Sequence, residues 1–416
     1  MDKMSVNIVI KVVLMVIVVG SGAGGATVAR ELALAGIPVK IIEKGPFIKS
    51  KKAFNYYDPS EEGLDLLKTT CVGGSTLVAA GNGVRVLENE LKDMGVDISP
   101  ELSEIEQDLG IEVMPDSHFG DGTKLLMESA QSMGITVQKM PKFIRSKDCS
   151  PCGQCSFGCP KNAKWSAADF VFEAQQAGAE IISETEVKDL IVENGQIIGV
   201  KALQNSEEIN FFSEIVILSL GGVETPRLLQ KAGIEAGENF FMDTFITVGG
   251  ILKNVGFKDE VQMNALIVME NFILAPHFST FLFKELEEKG VTDKDILGFM
   301  IKIGDESSGY IGPKTIVKNN TLRDVRFLAE GAALAGAILV EAGVNPDTII
   351  STHPRGAHPG GTAAIGDIVN ENLETSIKNL FVADASVLPT APAAPPLLTI
   401  MALSKRLAKH VISEYK

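Results

Sequence analysis

Five cysteines occur in 416 residues, and four of them fall in one run, Cys149-x2-Cys152-x2-Cys155-x3-Cys159, closed by Pro160. This is ferredoxin spacing, in which thiolates separated by two or three residues wrap a cubane, so the run points to a [4Fe-4S] cluster. Zinc sites normally split their cysteine pairs with a longer loop, and disulfides are seldom kept in the cytosol, so both rank below iron-sulfur as readings. In two-cluster ferredoxins the fourth cysteine serves the other cluster, and no second run exists here. Cys159 is the expected fourth ligand, with Cys71 the runner-up; the alternative for Cys71 is a small buried apolar residue. Lys139, Lys142, Arg145, Lys147, Lys161 and Lys164 surround the run. They form either a docking face for an acidic one-electron carrier such as ferredoxin or an ordinary solvated face. Trp165, the only tryptophan, is expected in the core or beside the cluster.

A second motif, Gly20-x-Gly22-x-x-Gly25, follows directly on an apolar run ending at Val19. The first glycine permits a sharp turn, the second lets backbone approach a pyrophosphate, and the third lets a helix pack close to a strand. The helix opening around Ala23 aims its free N–H groups and positive dipole end at the anion. Glu43, about twenty residues on, is placed to accept a hydrogen bond from an adenosine ribose 2′-hydroxyl, which disfavours a 2′-phosphate. A glycine-rich structural turn is the alternative, and these features alone do not separate FAD from NAD.

The elements that position these groups are partly visible. Met15–Val19, the glycine turn, Ala26–Ala35 and Val39–Glu43 read as a βαβ unit. Ser99–Gln131 has helical spacing and is expected to connect. Glu186–Val192 and Ile197–Ala202 read as two strands joined at Glu193-Asn194-Gly195-Gln196 by a hairpin turn. Ile215–Leu220, apolar but for Ser219, reads as a strand of the kind buried on both faces. Glu235–Ser351 mixes short apolar runs with helical segments such as Leu322–Ala342 and is the expected substrate lobe. A net charge of −15 opposes nucleic-acid binding, which needs cations to neutralise phosphates. The apolar run Ile8–Val19, interrupted by Lys11, is too short to cross a hydrocarbon layer of about 30 Å. It has no small-residue cleavage site and leads straight into the glycine turn, so no membrane insertion and a cytoplasmic location are expected, with Met15 an alternative start.

Together these motifs resemble the glucose-methanol-choline (GMC) oxidoreductases, at four places between Val16 and His410. Gly73-Gly74-Ser75-Thr76 resembles the family's glycine-serine loop beside the isoalloxazine ring. The family's Asn three positions after the second hydroxyl residue is Ala79 here, and Asn82 is the expected stand-in. Gly221–Leu229, continuing to Gly233-Ile234, is similar to the second signature, where a strand leaves through a Thr/Ser-Pro turn into a helix. Val187 falls where members pack an aliphatic residue near adenine, an ordinary strand valine being the alternative. The tail resembles family tails in order and spacing: His358-Pro359-Gly360-Gly361-Thr362, Gly366, Val382–Val387, then Thr399. The resemblance implies that Asp384 and Ala385 meet the ribityl chain or pyrophosphate of FAD. It also implies that a helix opening near Thr399 aims its N-terminus at the flavin. Such a C-terminal return favours FAD over NAD.

The implied fold is α/β, a Rossmann-like FAD-binding domain with a smaller α+β substrate domain. Residues 1–90, 166–234 and 352–416 would build the FAD domain, 91–165 the connecting helices and iron-sulfur loop, and 235–351 the substrate domain. Oxidising an alcohol requires a base beside the flavin. Of the five histidines, His358 fits the family base because Thr362 stands at plus four and Gly366 at plus eight. His353, with Ala357 at plus four, is the runner-up. The family's partner Asn or His is replaced by Pro395, so another residue supplies that contact or the chemistry is not ordinary alcohol oxidation. The resemblance implies oxidation of the CH–OH group of a small donor; the cysteine run marks a subset of the family, and a cluster that accepts one electron at a time beside a two-electron flavin implies a dehydrogenase whose electrons leave singly to an external carrier. The alternatives are an electron-transfer subunit of a larger redox complex and a flavin reductase acting on a carbonyl or alkene.

Overall fold

Val16–Val19 has every side chain buried, because it is the central strand of a parallel sheet whose two faces are both covered. The computed structural model describes residues 15–60 and 63–415; the expectations placed on residues 8–14 lie outside these. The chain runs β1 (Val16–Val19), α1 (Ala23–Leu34), β2 (Val39–Ile42), β3 (Glu180–Ile182), β4 (Ile215–Leu218) and α2 (Gly221–Lys231). It continues through β5 (Thr244–Ile251), β6 (Ile273–Pro276), β7 (Ile296–Lys302) and α3 (Leu322–Glu341). It returns with β8 (Arg355–Gly356), β9 (Leu380–Val382) and α4 (Leu397–Tyr415). The parallel sheet has the order β9-β4-β1-β2-β3, so strands from the beginning, middle and end of the chain lie side by side. Among the described residues no helix is long and apolar enough to cross a membrane.

Helix α1 lies against bare backbone. A Cβ added at Gly25 would stand 2.1 Å from the Gly20 carbonyl oxygen, and one at Gly24 would stand 1.7 Å from that of Ala383. The helix therefore touches both its own turn and the chain leaving β9. The hairpin joins Thr185–Glu193 to Gln196–Gln204. Asn194 and Gly195 both have positive φ, 51° and 77°, as a two-residue type I′ turn requires.

The second layer is an antiparallel sheet in which β5 pairs with β7, β7 with β6, and β8 with the start of β5. Helix α3 closes this layer's own apolar core. The 91–165 stretch joins both layers: helix Ser99–Leu109 packs into the first core, Leu126 and Ala130 into the second, and Gln138–Lys139 pairs with Ala265-Leu266.

One motif sits differently from expectation. Thr225-Pro226 is not a turn into a helix but lies inside α2, which already begins at Gly221, and β4 stops at Leu218. Proline has no N–H to offer the Gly222 carbonyl one turn earlier. The Thr362 hydroxyl donates to that carbonyl instead, at 2.8 Å, and so pins the His358 segment to α2.

The glycine contacts lead to opposite expectations at adjacent positions. Gly24→Ala crowds backbone and should lower stability by about 1–3 kcal/mol or more, whereas at Gly22 no atom lies within 4 Å of an added Cβ. Thermal melting checks this: Gly24→Ala should melt several degrees lower, and a Gly22→Ala protein melting equally low would refute the assignment.

Candidate active site

One continuous cavity of about 1240 Å³ is lined by the glycine turn, the Gly74-Ser75 loop, Val187, Asp384-Ala385 and His358. Gly20 turns the chain with φ +96°, and an added Cβ would meet the Ser219 carbonyl. Gly22 and Ala23 expose backbone at the start of α1 to open cavity, which is the cradle a pyrophosphate needs. Ser21 ties the surrounding segments together. Its N–H and hydroxyl donate to Glu43 Oε2 at 2.9 and 2.7 Å, and its hydroxyl oxygen accepts from the Gly73 N–H at 3.1 Å. Gly45 N–H donates to Glu43 Oε1 at 2.7 Å. Three of roughly four acceptor positions on this carboxylate are thus filled by protein, leaving one for a ribose hydroxyl. Burial pushes the Glu43 carboxyl up, and the Ser21 and Gly45 donors oppose it.

Asp384 is more fully used. Its Oδ2 accepts from Gly221 N–H at 2.9 Å and the Thr225 hydroxyl at 2.6 Å, and its Oδ1 accepts from Ser386 N–H at 2.8 Å. It clamps α2 to the tail at the cavity wall. Thr76 donates to the Gly73 carbonyl at 2.6 Å and accepts from Ala167 N–H at 2.9 Å, so its hydroxyl holds the loop. Asn82 lines the wall, with its Oδ1 on the Lys142 ammonium at 2.5 Å. Thr399 does not reach the cavity: it is fully buried, its hydroxyl on the Val86 carbonyl at 2.6 Å, and Leu397 and Ile400 of the same helix line the wall instead.

His358 is held by groups that the sequence did not single out. Its Nδ1 stands 2.8 Å from Asp243 Oδ2 and 3.1 Å from Lys302 Nζ. A carboxylate only accepts and an ammonium only donates, so Nδ1 cannot bond both; with its hydrogen directed to the nearer Asp243 carboxylate, Nε2 is left as the acceptor and Lys302 acts on the ring as a charge. Burial, and then the Lys302 charge, holds the imidazole pKa well below its ordinary value, so the ring is neutral at pH 7. Asp243 sits at φ 50°, an uncommon conformation for a residue with a side chain, and its Oδ1 accepts from Ala393 N–H at 3.1 Å. The same carboxylate therefore anchors the loop carrying Pro395, which lines the cavity without a hydrogen bond to offer. His353 is not part of this group; it is exposed, off the cavity wall, with Nε2 on Asp65 at 2.8 Å. His277, Lys302 and Arg355 join the wall. The available signal was a lone charge in an apolar setting, Asp243 after Phe240-Phe241-Met242 and Lys302 closing Ile296–Ile301.

Cys149, Cys152, Cys155 and Cys159 line a second, small cavity of about 20 Å³. Cys71 lies elsewhere, packed with Ala53, Leu77 and Val78, its thiol pushed up to about 11 chiefly by burial. Among the described residues no three His, Cys, Asp or Glu side chains converge closely enough to hold a single metal ion. Four thiolates on one zinc, at Zn–S of about 2.3 Å, stand only about 3.8 Å apart. On a cubane each thiolate meets its own iron and the set is wider. Gly153, Ser156 and Phe157 of the cysteine loop line the large cavity, so this loop walls both spaces.

The basic face expected around the run is reduced to Lys139, Arg145, Lys147 and Lys161, which are exposed, because Lys142 and Lys164 are buried. The Lys142 ammonium donates to the carbonyls of Ala80 and Gln262 at 3.2 and 2.8 Å besides Asn82. Lys164 donates to Thr76, Leu77 and Ala79 carbonyls at 3.0, 2.9 and 2.6 Å. Burial pulls them down to about 7 and about 8, with Cys155 opposing in each case. Lys139 and Arg145 are paired with Asp116 and Asp148. Trp165 packs edge-on to Phe143 and Phe170 in the first core.

A GMC oxidoreductase model matches residues 16–256 and a second matches residues 318–404. An uncharacterized protein of Methanocaldococcus jannaschii, MJ1450, is 32% identical over 95% of this chain and 99% of its own. A long-chain-alcohol oxidase of Arabidopsis thaliana is 22% identical over 95% of this chain and 67% of its own. Among solved structures, pyridoxine 4-oxidase from Mesorbium loti superposes with a TM-score of 0.74 at 16% identity, covering 95% of this chain and 99% of that one. Formate oxidase of Aspergillus oryzae gives 0.71 at 15% identity, covering 97% and 99%. At these identities the structures establish likeness of fold.

Because burial keeps the charged form out, the ring resonances of His358 should stay at neutral-imidazole positions as pH falls from about 8 to about 6. NMR of ring-labelled protein checks this, and a His358 ring that titrates near the ordinary value of about 6.5 would count against the buried geometry.

Proposed function

This chain belongs to the GMC oxidoreductase family, and from that premise we propose that it is an FAD-dependent dehydrogenase acting on the CH–OH group of a small organic donor. Electrons leave one at a time through a [4Fe-4S] cluster on Cys149, Cys152, Cys155 and Cys159 to a one-electron carrier. The observation that carries the reading is the 2.8 Å contact between Asp243 and His358 Nδ1, in the same cavity as the bare Gly22 backbone.

The residues fit the cofactor. Gly20, Gly22, Ala23 and the start of α1 would hold the pyrophosphate, Glu43 the ribose and Val187 the adenine side, while the Gly73–Thr76 loop would border the ring. FAD, when bound, supplies the acceptor for the hydride lost from the carbinol carbon. His358 takes the hydroxyl proton on Nε2, and a neutral imidazole is required for that. Asp243 holds the ring in the accepting tautomer and stabilises the charge that then develops on it. Lys302 and His277 place polar groups on the wall where Pro395 offers none. An oriented base beside the cavity favours a small-molecule donor over an electron-transfer subunit.

The cluster reading rests on the four cysteines sharing one small cavity. Lys142 and Lys164, each held by backbone carbonyls, are buried where they would offset the negative charge of thiolate-bound iron.

Protein purified without air should carry about four iron and four sulfide per chain, and Cys152→Ser should lose them while keeping FAD; iron-free protein that stays so after reconstitution would end the cluster reading. His358→Ala should keep FAD yet slow flavin reduction by the donor about 10²–10⁴-fold, measured by stopped flow; an unchanged rate refutes the base. Asp243→Asn should slow the same step by about 100-fold or more, with FAD content unaltered.

A further inference from the structure

Arg355 is buried, 8% exposed, and lines the same cavity as His358. Its Nε has no hydrogen-bond partner, and among the described residues its guanidinium makes no ion pair. Its Cζ instead lies over two rings, 4.8 Å from the centre of Phe245 and 4.5 Å from that of Phe281. Asp65 is the acid whose field reaches it most, but Asp65 is engaged by His353 Nε2 at 2.8 Å and by the Ser60 hydroxyl. A buried cation without a partner is strongly unfavourable, and two aromatic faces offset only part of that. The rings leave the edge of the guanidinium as the part that can donate.

Arg355 does not stand alone. Phe245 pairs across the sheet with both Arg355 and Lys302, so the three side chains share one face. Lys302 Nζ lies 5.6 Å from the centre of the same ring. Both charges reach His277, which is held neutral first by its burial and then by these two cations. On a chain of net charge −15, this wall gathers cations. Lys302 lies in the field of two buried acids, Asp243 and Asp305, which leaves the Arg355 fork as the group still lacking an anion. A guanidinium presents parallel N–H groups that match a carboxylate two at a time.

We propose that Arg355 anchors a carboxylate of the substrate, so that the alcohol oxidised at His358 is a small hydroxy acid. The inference rests on the function proposed above. The two residues are three positions apart, with Gly356 and Ala357 between them, and both line the same cavity. The carboxylate is unchanged in the reaction: the hydroxyl proton goes to His358, the carbinol hydrogen leaves with two electrons to bound FAD, and a keto or aldehyde acid is released.

The test is binding to FAD-loaded protein by calorimetry, with glycolate, mandelate, 3-hydroxybutyrate and 2-hydroxyisobutyrate, each against its neutral amide. The last has no carbinol hydrogen and so reports binding without turnover. At least one acid should bind tenfold or more tightly than its amide, and Arg355→Met should abolish that preference. Arg355→Lys, which keeps charge but loses the fork, should retain only part of it and serves if the Met variant does not fold. Acids no tighter than their amides, or a preference that survives in Arg355→Met, would overturn the proposal. Acids that bind through Arg355 but never bleach the flavin would leave the anion site standing and remove the oxidation reading instead.

Discussion

The structure depends on contacts in which backbone meets backbone with no room for a side chain. Gly25 lies on the Gly20 carbonyl and Gly24 on that of Ala383. These contacts seat α1 over the junction of β1, β4 and β9, and so bring the first residues of the sheet and the last to one cavity. Ser21 and Asp384 lock the arrangement with hydrogen bonds, the first joining the turn to Glu43 and Gly73, the second joining α2 to the tail. Pro226 adds a further tie by leaving the Gly222 carbonyl for Thr362. Each tie is local, but together they fix where His358 stands.

The second organising feature is buried charge, handled in three ways. Lys142 and Lys164 are solvated by backbone carbonyls, which satisfy an ammonium without a counter-ion. Asp243 pairs with His358 Nδ1 while the Lys302 charge stands beside them, and this arrangement orders the imidazole. Burial pushes the Asp243 carboxyl up and the Lys302 ammonium down, while their attraction opposes both shifts. Arg355 is handled by neither route; only aromatic faces cover it. A polar group that folding leaves unsatisfied marks where a ligand completes the site.

The glycine turn, the buried strands, the hairpin at Asn194-Gly195 and the tail from His358 were legible because each is a short-range pattern. Glycine spacing, alternation and turn chemistry act over a few residues, and a local rule reads them. Thr399, His353 and the Thr225-Pro226 pair were misplaced for the opposite reason. Their neighbours along the chain resemble a motif, but what their side chains meet, Val86, Asp65 and Thr362, comes from distant segments. The basic residues near the cysteines show the same limit, since Lys142 and Lys164 look like surface charges until carbonyls from the 76–82 and 262 regions close around them.

The sequence by itself determined the dinucleotide turn and the cysteine run, because these are properties of residue type and spacing along one strand, loop or helix, while the fold class and the choice of His358 as candidate base came from the resemblance of its motifs to a family. The tertiary structure alone decided that Asp243 and Lys302 bracket the His358 ring, that Cys159 and not Cys71 shares the cysteine cavity, and that Arg355 faces His358's cavity without an anion. The physical reason is that these facts concern the partners of a charge or thiol, and partners are chosen by packing between segments far apart in the chain.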